Sequence, residues 1–155
     1  MNPAREVCTF LLDGHLFGVD VVEVQEIIRP QPITRVPLAP PAVAGLLNVR
    51  GQLVTAIDLR RRLDLPPRPP DAAPMNIVVR STDGALSLLV DSVGDVIEIA
   101  EDAYEPTPPT VRGVAHDLIR DVVKLRDQLL LRLNTAAVVA IGQETNSKPT
   151  QHQTL

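Results

Sequence analysis

Three histidines (His15, His116, His152), one cysteine (Cys8) and close carboxylate pairs such as Glu23 with Glu26 and Glu101 with Asp102 are the side chains in this 155-residue chain whose types could do chemistry. Metal binding needs histidines or cysteines at short, repeated spacings, and these four residues stand far apart. A paired acid and base needs two carboxylates held in contrasting environments, whereas close pairs on an acidic chain read as solvated surface. No Gly-x-Ser-x-Gly elbow, phosphate-cradling glycine loop or dinucleotide fingerprint occurs, and the eight glycines are scattered at turns. Cys8 lies inside an apolar run and has no second cysteine to pair with, so it is expected to pack as a small hydrophobe in a reducing compartment. These residues predict no catalytic centre, no metal and no cofactor.

Arginine is the other chemistry on offer. Residues 45–62 hold two apolar runs on either side of Asn48-Val49-Arg50-Gly51, where Asn and Gly tolerate left-handed backbone and Arg50 projects from the turn. This spacing predicts a hairpin with a charged tip. Arg60, Arg61 and Arg62 follow on one helical turn capped by Asp58, and three adjacent arginines are expected to form a solvated face.

Composition narrows the ligand classes. A hydrophobic content of 45% supports a real core, but aromatics make up only 2% (Phe10, Phe17, Tyr104), which disfavours stacking on a base or a sugar ring. The formal charge of -4 and pI near 5.3 would repel a phosphate backbone, so nucleic acid is not an expected partner. No apolar run approaches the ~20 residues that span a bilayer, and the N-terminus lacks a signal-peptide pattern. The expected location is the cytoplasm.

The elements that would position these residues are mostly short strands. Residues 7–12 and 15–19 flank Asp13-Gly14 as an opening hairpin, after which Asp20-Val21-Val22-Glu23 reads as a variant capping box and a helical turn that passes into a strand near residues 25–29. Prolines 30, 32, 37, 40 and 41 predict an ordered extended connection. Five prolines within residues 66–74 mark the clearest internal boundary. Beyond it come a hairpin over residues 76–90, a bent strand to residue 99, an acidic loop over 101–110, a last hairpin over 122–133, a short helix capped by Asn134 or Thr135, and a polar tail over 142–155 expected to be disordered. Many short strands joined by tight turns predict an all-β architecture. Two barrels of about 60 residues each would be marginal apart, so they are expected to pack together and to leave an apolar seam where an amphipathic partner helix could dock.

The ordered blocks Phe17-Gly18-Val19-Asp20, Val24-Gln25-Glu26-Ile27, Thr34-Arg35-Val36-Pro37, Gly45 with Asn48-Val49-Arg50-Gly51, Ile57-Asp58-Leu59-Arg60, and Val90-Asp91-Ser92-Val93-Gly94-Asp95-Val96 closely resemble CheW-like domains, the coupling proteins of bacterial chemotaxis. The resemblance implies one domain over residues 6–141, built from two SH3-like five-stranded β-barrel subdomains (about 15–65 and 75–133) packed together with short helices. It implies no catalytic activity and two partners, the regulatory domain of a CheA-type histidine kinase and the hairpin tips of methyl-accepting chemoreceptors, met at membrane-associated arrays. Carried over by position, Val24, Glu26, Gly45 and Arg50 match the family's receptor and kinase surfaces, and Pro108 and Pro109 match a second partner-facing edge. The alternatives are a CheW-like scaffold in a non-motility chemosensory pathway, which the same resemblance allows, and a ligand-binding β-barrel or small enzyme. The chain departs from the family pattern at Ile119-Arg120-Asp121-Val122, before the last hairpin, and at Leu133-Asn134-Thr135-Ala136-Ala137-Val138-Val139, the closing helix.

Overall fold

In the computed structural model, residues 3–82, 84–111 and 113–140 are described; the expected disordered tail, with His152, lies outside them. Eleven strands and three short helices follow in the order β1 (Ala4–Leu12), β2 (His15–Asp20), β3 (Val24–Ile28), β4 (Val43–Val49), β5 (Gln52–Asp58), α1 (Leu59–Arg62), β6 (Met75–Ser81), β7 (Gly84–Val90), β8 (Ser92–Ala100), β9 (Tyr104–Glu105), α2 (Val114–Leu118), β10 (Ile119–Lys124), β11 (Leu129–Leu133) and α3 (Thr135–Val139). They form a six-stranded sheet in the order β8-β1-β2-β11-β10-β9 and a five-stranded sheet in the order β3-β6-β7-β5-β4. The fold is all-β, with two SH3-like halves whose sheets curl without closing a continuous hydrogen-bonded barrel.

Period-two alternation sends the side chains of β1, β2, β5 and β7 to two different cores. Cys8, Phe10 and Leu12 of β1, Phe17 and Val19 of β2, and Ile77, Val79, Leu88 and Val90 of β6 and β7 meet in the largest core, between the sheets. Phe10 and Phe17, paired across β1 and β2, stack with ring centroids 6.0 Å apart. On the far face of the five-stranded sheet, Leu47, Val49, Val54, Ala56 and Leu89 fill a smaller core, and Val7, Ile99, Val123 and Leu130 do the same for the other sheet. The two halves therefore complete each other's burial, as their small size requires.

Sheet membership crosses the proline linker in both directions, so the halves at 15–65 and 75–133 are not the two sheets: β6 and β7 return to the sheet of β3, β4 and β5, while β1 and β2 join β8 to β11. The linker is strapped down rather than extended as a spacer. Arg60 donates from Nη1 to the Pro66 and Pro67 carbonyls (3.0 and 3.3 Å) and from Nε to Asp91 Oδ1 (3.0 Å), and Arg68 Nε donates to the same oxygen at 3.0 Å. Asp91, at the crossing from β7 to β8, also accepts from the Asp13 amide at 2.8 Å. The expected solvated arginine face is thus corrected at two of its three members. Arg60 is 9% exposed. Arg62 donates to the Ala137 and Val138 carbonyls of α3 at 2.9 and 3.0 Å. Of the three, only Arg61 is exposed.

The Asp58 cap of α1 forms as expected, with Oδ1 accepting from the Arg60 amide at 3.1 Å, and Asn134 caps α3 by accepting from the Ala137 amide at 3.2 Å. Asp20 does not cap: residues 21–23 form a 3₁₀ turn with no side-chain cap, because Arg132 of β11 and Arg5 of β1 take its carboxylate at 3.0 and 3.1 Å. The departure near Ile119 falls on a register shift between Ile119 and Asp121 in the β10–β11 ladder.

Burial pushes the Asp91 carboxyl up, but hydrogen bonds from Arg60, the Asp13 amide and Arg68 outweigh it and hold it below the usual carboxylate range. A carboxyl depressed on folding stabilises the protein above its unfolded value, about 3.9, and that stabilisation is lost as pH falls through the lower folded value. Asp91→Asn should therefore unfold at lower urea than the wild type at neutral pH, with the gap narrowing below about pH 4. A gap constant with pH in a urea titration series would refute the linkage.

Candidate functional site

β3 and β4 are opposite edges of the five-stranded sheet, yet a side chain from each end of that sheet meets the other. Arg50 Nε lies 3.2 Å from both Glu26 carboxylate oxygens and Nη2 lies 3.1 Å from Oε1. The ion pair acts as a clasp on the curled sheet. Glu26 is only 17% exposed on its side chain while Arg50 is 80% exposed, so one carboxylate anchors a guanidinium whose remaining donors face outward. Hydrogen bonding to Glu26 keeps the Arg50 guanidinium protonated above its usual range.

The hairpin tip is built differently from its expected form. Arg50 and Gly51 carry φ of 52° and 86°, and Val49 pairs with Gln52, which is a two-residue turn with both central residues left-handed. Asn48 stays in β4 and accepts from the Gly51 amide at 2.9 Å. Left-handed backbone at a non-glycine residue is uncommon, and here it aims Arg50 at Glu26.

Val24 and Glu26 are separated by a register shift in the β3–β6 ladder, so they serve different surfaces. Val24 packs against the intersheet core, and Ile28, two residues beyond Glu26, packs on the smaller one. Val24, Val79, Leu86 and Thr55 are successive partners across β3, β6, β7 and β5. Beyond this rung, Leu53 lies on the same β5 face as Thr55 and is 71% exposed, and Val22 in the 3₁₀ turn is 80% exposed. Both were missed by sequence reasoning. The period-two run Leu53, Thr55, Ile57 marks the face, but only the sheet shows where its cover ends.

Gly45 is buried, with φ of 150°, and a Cβ there would lie 2.8 Å from Ile33 Cγ2 and closer still to the Thr34 carbonyl. Its role is to let Thr34 bond to Leu46 in both directions at 2.8 Å. Pro108 and Pro109 sit apart from the clasp, in a turn between β9 and α2 on the other sheet, where the Val111 amide donates to the Pro108 carbonyl at 3.0 Å. The structure thus joins Glu26 to Arg50, sets Val24 on the adjoining seam, and keeps the prolines on a separate edge. The expected solvated carboxylate pair also needs correction, since Glu26 holds Arg50 and Glu23 accepts from Thr135 Oγ1 at 2.7 Å. Among the described residues, no three of His, Cys, Asp and Glu gather where they could hold a metal ion.

The model of the CheW-like domain matches residues 6–142. The chain is 30% identical over 151 residues to a chemotaxis protein CheW of Bacillus subtilis, with 97% of each covered. It is 28% identical over 144 residues to a probable chemotaxis protein CheW of Rhizobium etli, covering 93% of this chain and 91% of that one. Its fold superposes on the crystal structure of the scaffolding protein TtCheW from Thermoanaerobacter tengcongensis with a TM-score of 0.78 at 28% identity, covering 89% of this chain and 92% of that chain. With that match running over nearly all of both sheets, the chain belongs to the CheW-like domain family.

Proposed function

We propose that this protein is a non-enzymatic adaptor of bacterial chemotaxis signalling that couples chemoreceptor hairpin tips to the regulatory domain of a CheA-type histidine kinase, in the cytoplasm at receptor arrays. Family membership supports the scaffold role, and the observation that carries the site is an exposed arginine immobilised by a half-buried carboxylate at the rim of an apolar seam. An exposed arginine usually loses side-chain entropy on binding, and Glu26 removes part of that cost in advance. Arg50 supplies directional donors, Val24 with Leu53 and Val22 supplies apolar area, and Gly45 holds the backbone that presents them. An adaptor needs two surfaces that do not compete. The turn at Pro108 and Pro109, on the opposite sheet, serves as the second.

Co-sedimentation with receptor-containing membranes tests this. The purified chain should bind weakly alone and strongly once a CheA-type kinase is present. Arg50→Ala opens the clasp on Glu26 but leaves the buried cores intact, so it should keep the wild-type circular dichroism spectrum, and it should weaken the ternary assembly by roughly tenfold or more. Wild-type sedimentation by a folded Arg50→Ala variant would remove Arg50 from the contact. No kinase-dependent binding by the wild type would overturn the adaptor reading itself.

A further inference from the structure

We propose that a groove at the opposite end of the β4–β5 hairpin from Arg50 docks an acidic segment of a partner protein, one that sets an apolar side chain between two carboxylates. The groove has a volume of about 650 Å³ and is walled by Ile33, Val36 and Val43, with Arg35, Arg61 and Asp58 on its polar side. A second recess of about 440 Å³ shares Asp58 and Arg61 with the first and continues it along the proline linker to Arg68. The seven residues of β4 separate this groove from the Arg50 tip by about 20 Å. It is a different surface from the clasp.

The groove's charge balance is the reverse of the chain's. The protein as a whole is acidic, with a formal charge of -4. Around the groove stand three guanidiniums and one carboxylate; Arg68 is already paired with Asp91, and the excess positive charge is that of Arg35 and Arg61. That carboxylate is engaged, because Asp58 accepts from the Arg60 amide at 3.1 Å and lies 3.8 Å from Arg68 Nη1. Arg35 and Arg61 are exposed and make no ion pair or side-chain hydrogen bond with any described residue. Arg68, with only 9% of its side chain exposed, keeps an Nη2 that has no hydrogen-bond partner among the described residues. Guanidiniums with free donors select carboxylates through paired N–H···O contacts, and the groove holds more such donors than acceptors.

The walls are rigid and carry a strained apolar residue. Loop 33–42 is tied to β4 and β5 by the Thr34–Leu46 bonds (2.8 Å each) and by the Asp58 amide to the Ala42 carbonyl (2.8 Å), with a turn at its end from the Val43 amide to the Pro40 carbonyl (2.9 Å). At its rim Leu38 has a φ of 66° and is fully exposed. A leucine in left-handed backbone with its side chain in water is unfavourable on both counts, and such outliers mark working surfaces. A preformed groove needs little ordering on binding. The apolar wall and Leu38 would take one aliphatic side chain, and Arg35 and Arg61 the carboxylates beside it. Among the described residues no aromatic side chain lines either recess, so they offer no platform for nucleotide bases.

The test is a titration of the full chain with a blocked peptide of sequence Glu-Glu-Leu-Glu-Glu-Ala, following the Arg35 and Arg61 Nε–H signals and the Ile33, Val36 and Val43 methyls by NMR. Saturable shifts confined to these signals are expected at about 20 mM salt, with affinity falling about tenfold or more at about 300 mM salt. The Arg35→Glu/Arg61→Glu double variant, altered only at exposed positions, should lose the response, and the Gln-Gln-Leu-Gln-Gln-Ala peptide should fail on the wild type without any mutation. An absent response, an equal response to the glutamine peptide, or the same shifts from inorganic phosphate alone would each overturn the proposal. The titration uses neither receptor nor kinase, so its failure and that of the adaptor reading are separate results.

Discussion

Replacing Arg132 by leucine is expected to destabilise the protein by roughly 3 to 5 kcal/mol, because it strands buried carboxylates without their cation. Arg132 is 6% exposed on β11 and reaches Asp20 of β2 with Nη1 at 3.0 Å and Asp121 of β10 with Nε at 2.7 Å, while its guanidinium carbon lies 4.2 Å from the Tyr104 ring centroid. Asp20 is itself only 5% exposed. Hydrogen bonding to Asp121, against the cost of burial, holds the Arg132 guanidinium protonated well above its usual range. This one side chain therefore braces the parallel β2–β11 pairing that joins the chain's first hairpin to its last. Urea unfolding should show the loss at constant m-value, with a midpoint temperature about 10 °C lower. Adding Asp20→Asn to Arg132→Leu should recover part of it, since the stranded charge is then removed. A loss under about 1 kcal/mol would mean that Arg5, 3.1 Å from Asp20, suffices as counter-ion.

Gly45→Ala is expected to cost roughly 3 kcal/mol, combining backbone strain at positive φ with a steric clash against main chain that cannot swing aside. The obstacle is the Thr34 carbonyl with Ile33 Cγ2, and relief requires breaking the Thr34–Leu46 bonds. Gly51→Ala supplies the comparison. It has a similarly restrictive φ of 86° but nothing within 4 Å of a Cβ. Its cost should stay near 1 kcal/mol, the conformational penalty alone. Matching losses in the two variants would show that Gly45 is required only for its backbone angle. If Gly45→Ala also weakens partner binding, the cause is displacement of the hairpin and of loop 33–42, and amide exchange at Leu46 should rise in the same variant.

Much of the fold was legible because its signals are local. Asp13-Gly14 and Arg50-Gly51 sit between period-two apolar runs, and both became tight turns with two consecutive positive φ values. Asp58 and Asn134 cap because the amides they reach lie two and three residues ahead. The same rule failed at Asp20, where a cation 112 positions away outcompeted the local amide. It failed again for the arginine triplet, since Arg60 finds its carboxylate 31 positions away and Arg62 its carbonyls 75 and 76 positions away. A charged side chain takes the partner with which it is buried, and sequence distance carries no information about that.

The candidate site divides in the same way. Sequence alone determined the hairpin, the left-handed tendency of its tip, the family and the identity of Arg50 as the side chain to watch. Only the tertiary structure decided that the tip bends its arginine onto Glu26 from the opposite edge of the sheet, that Val24 and Glu26 face different ways across a bulge, and that each sheet takes strands from both sides of the proline linker. Strand formation and tight turns depend on neighbours a few residues apart, so the sequence displays them directly. Sheet curvature and pairing between distant strands depend on which buried faces and charges complete one another, and those meet only when the chain is folded.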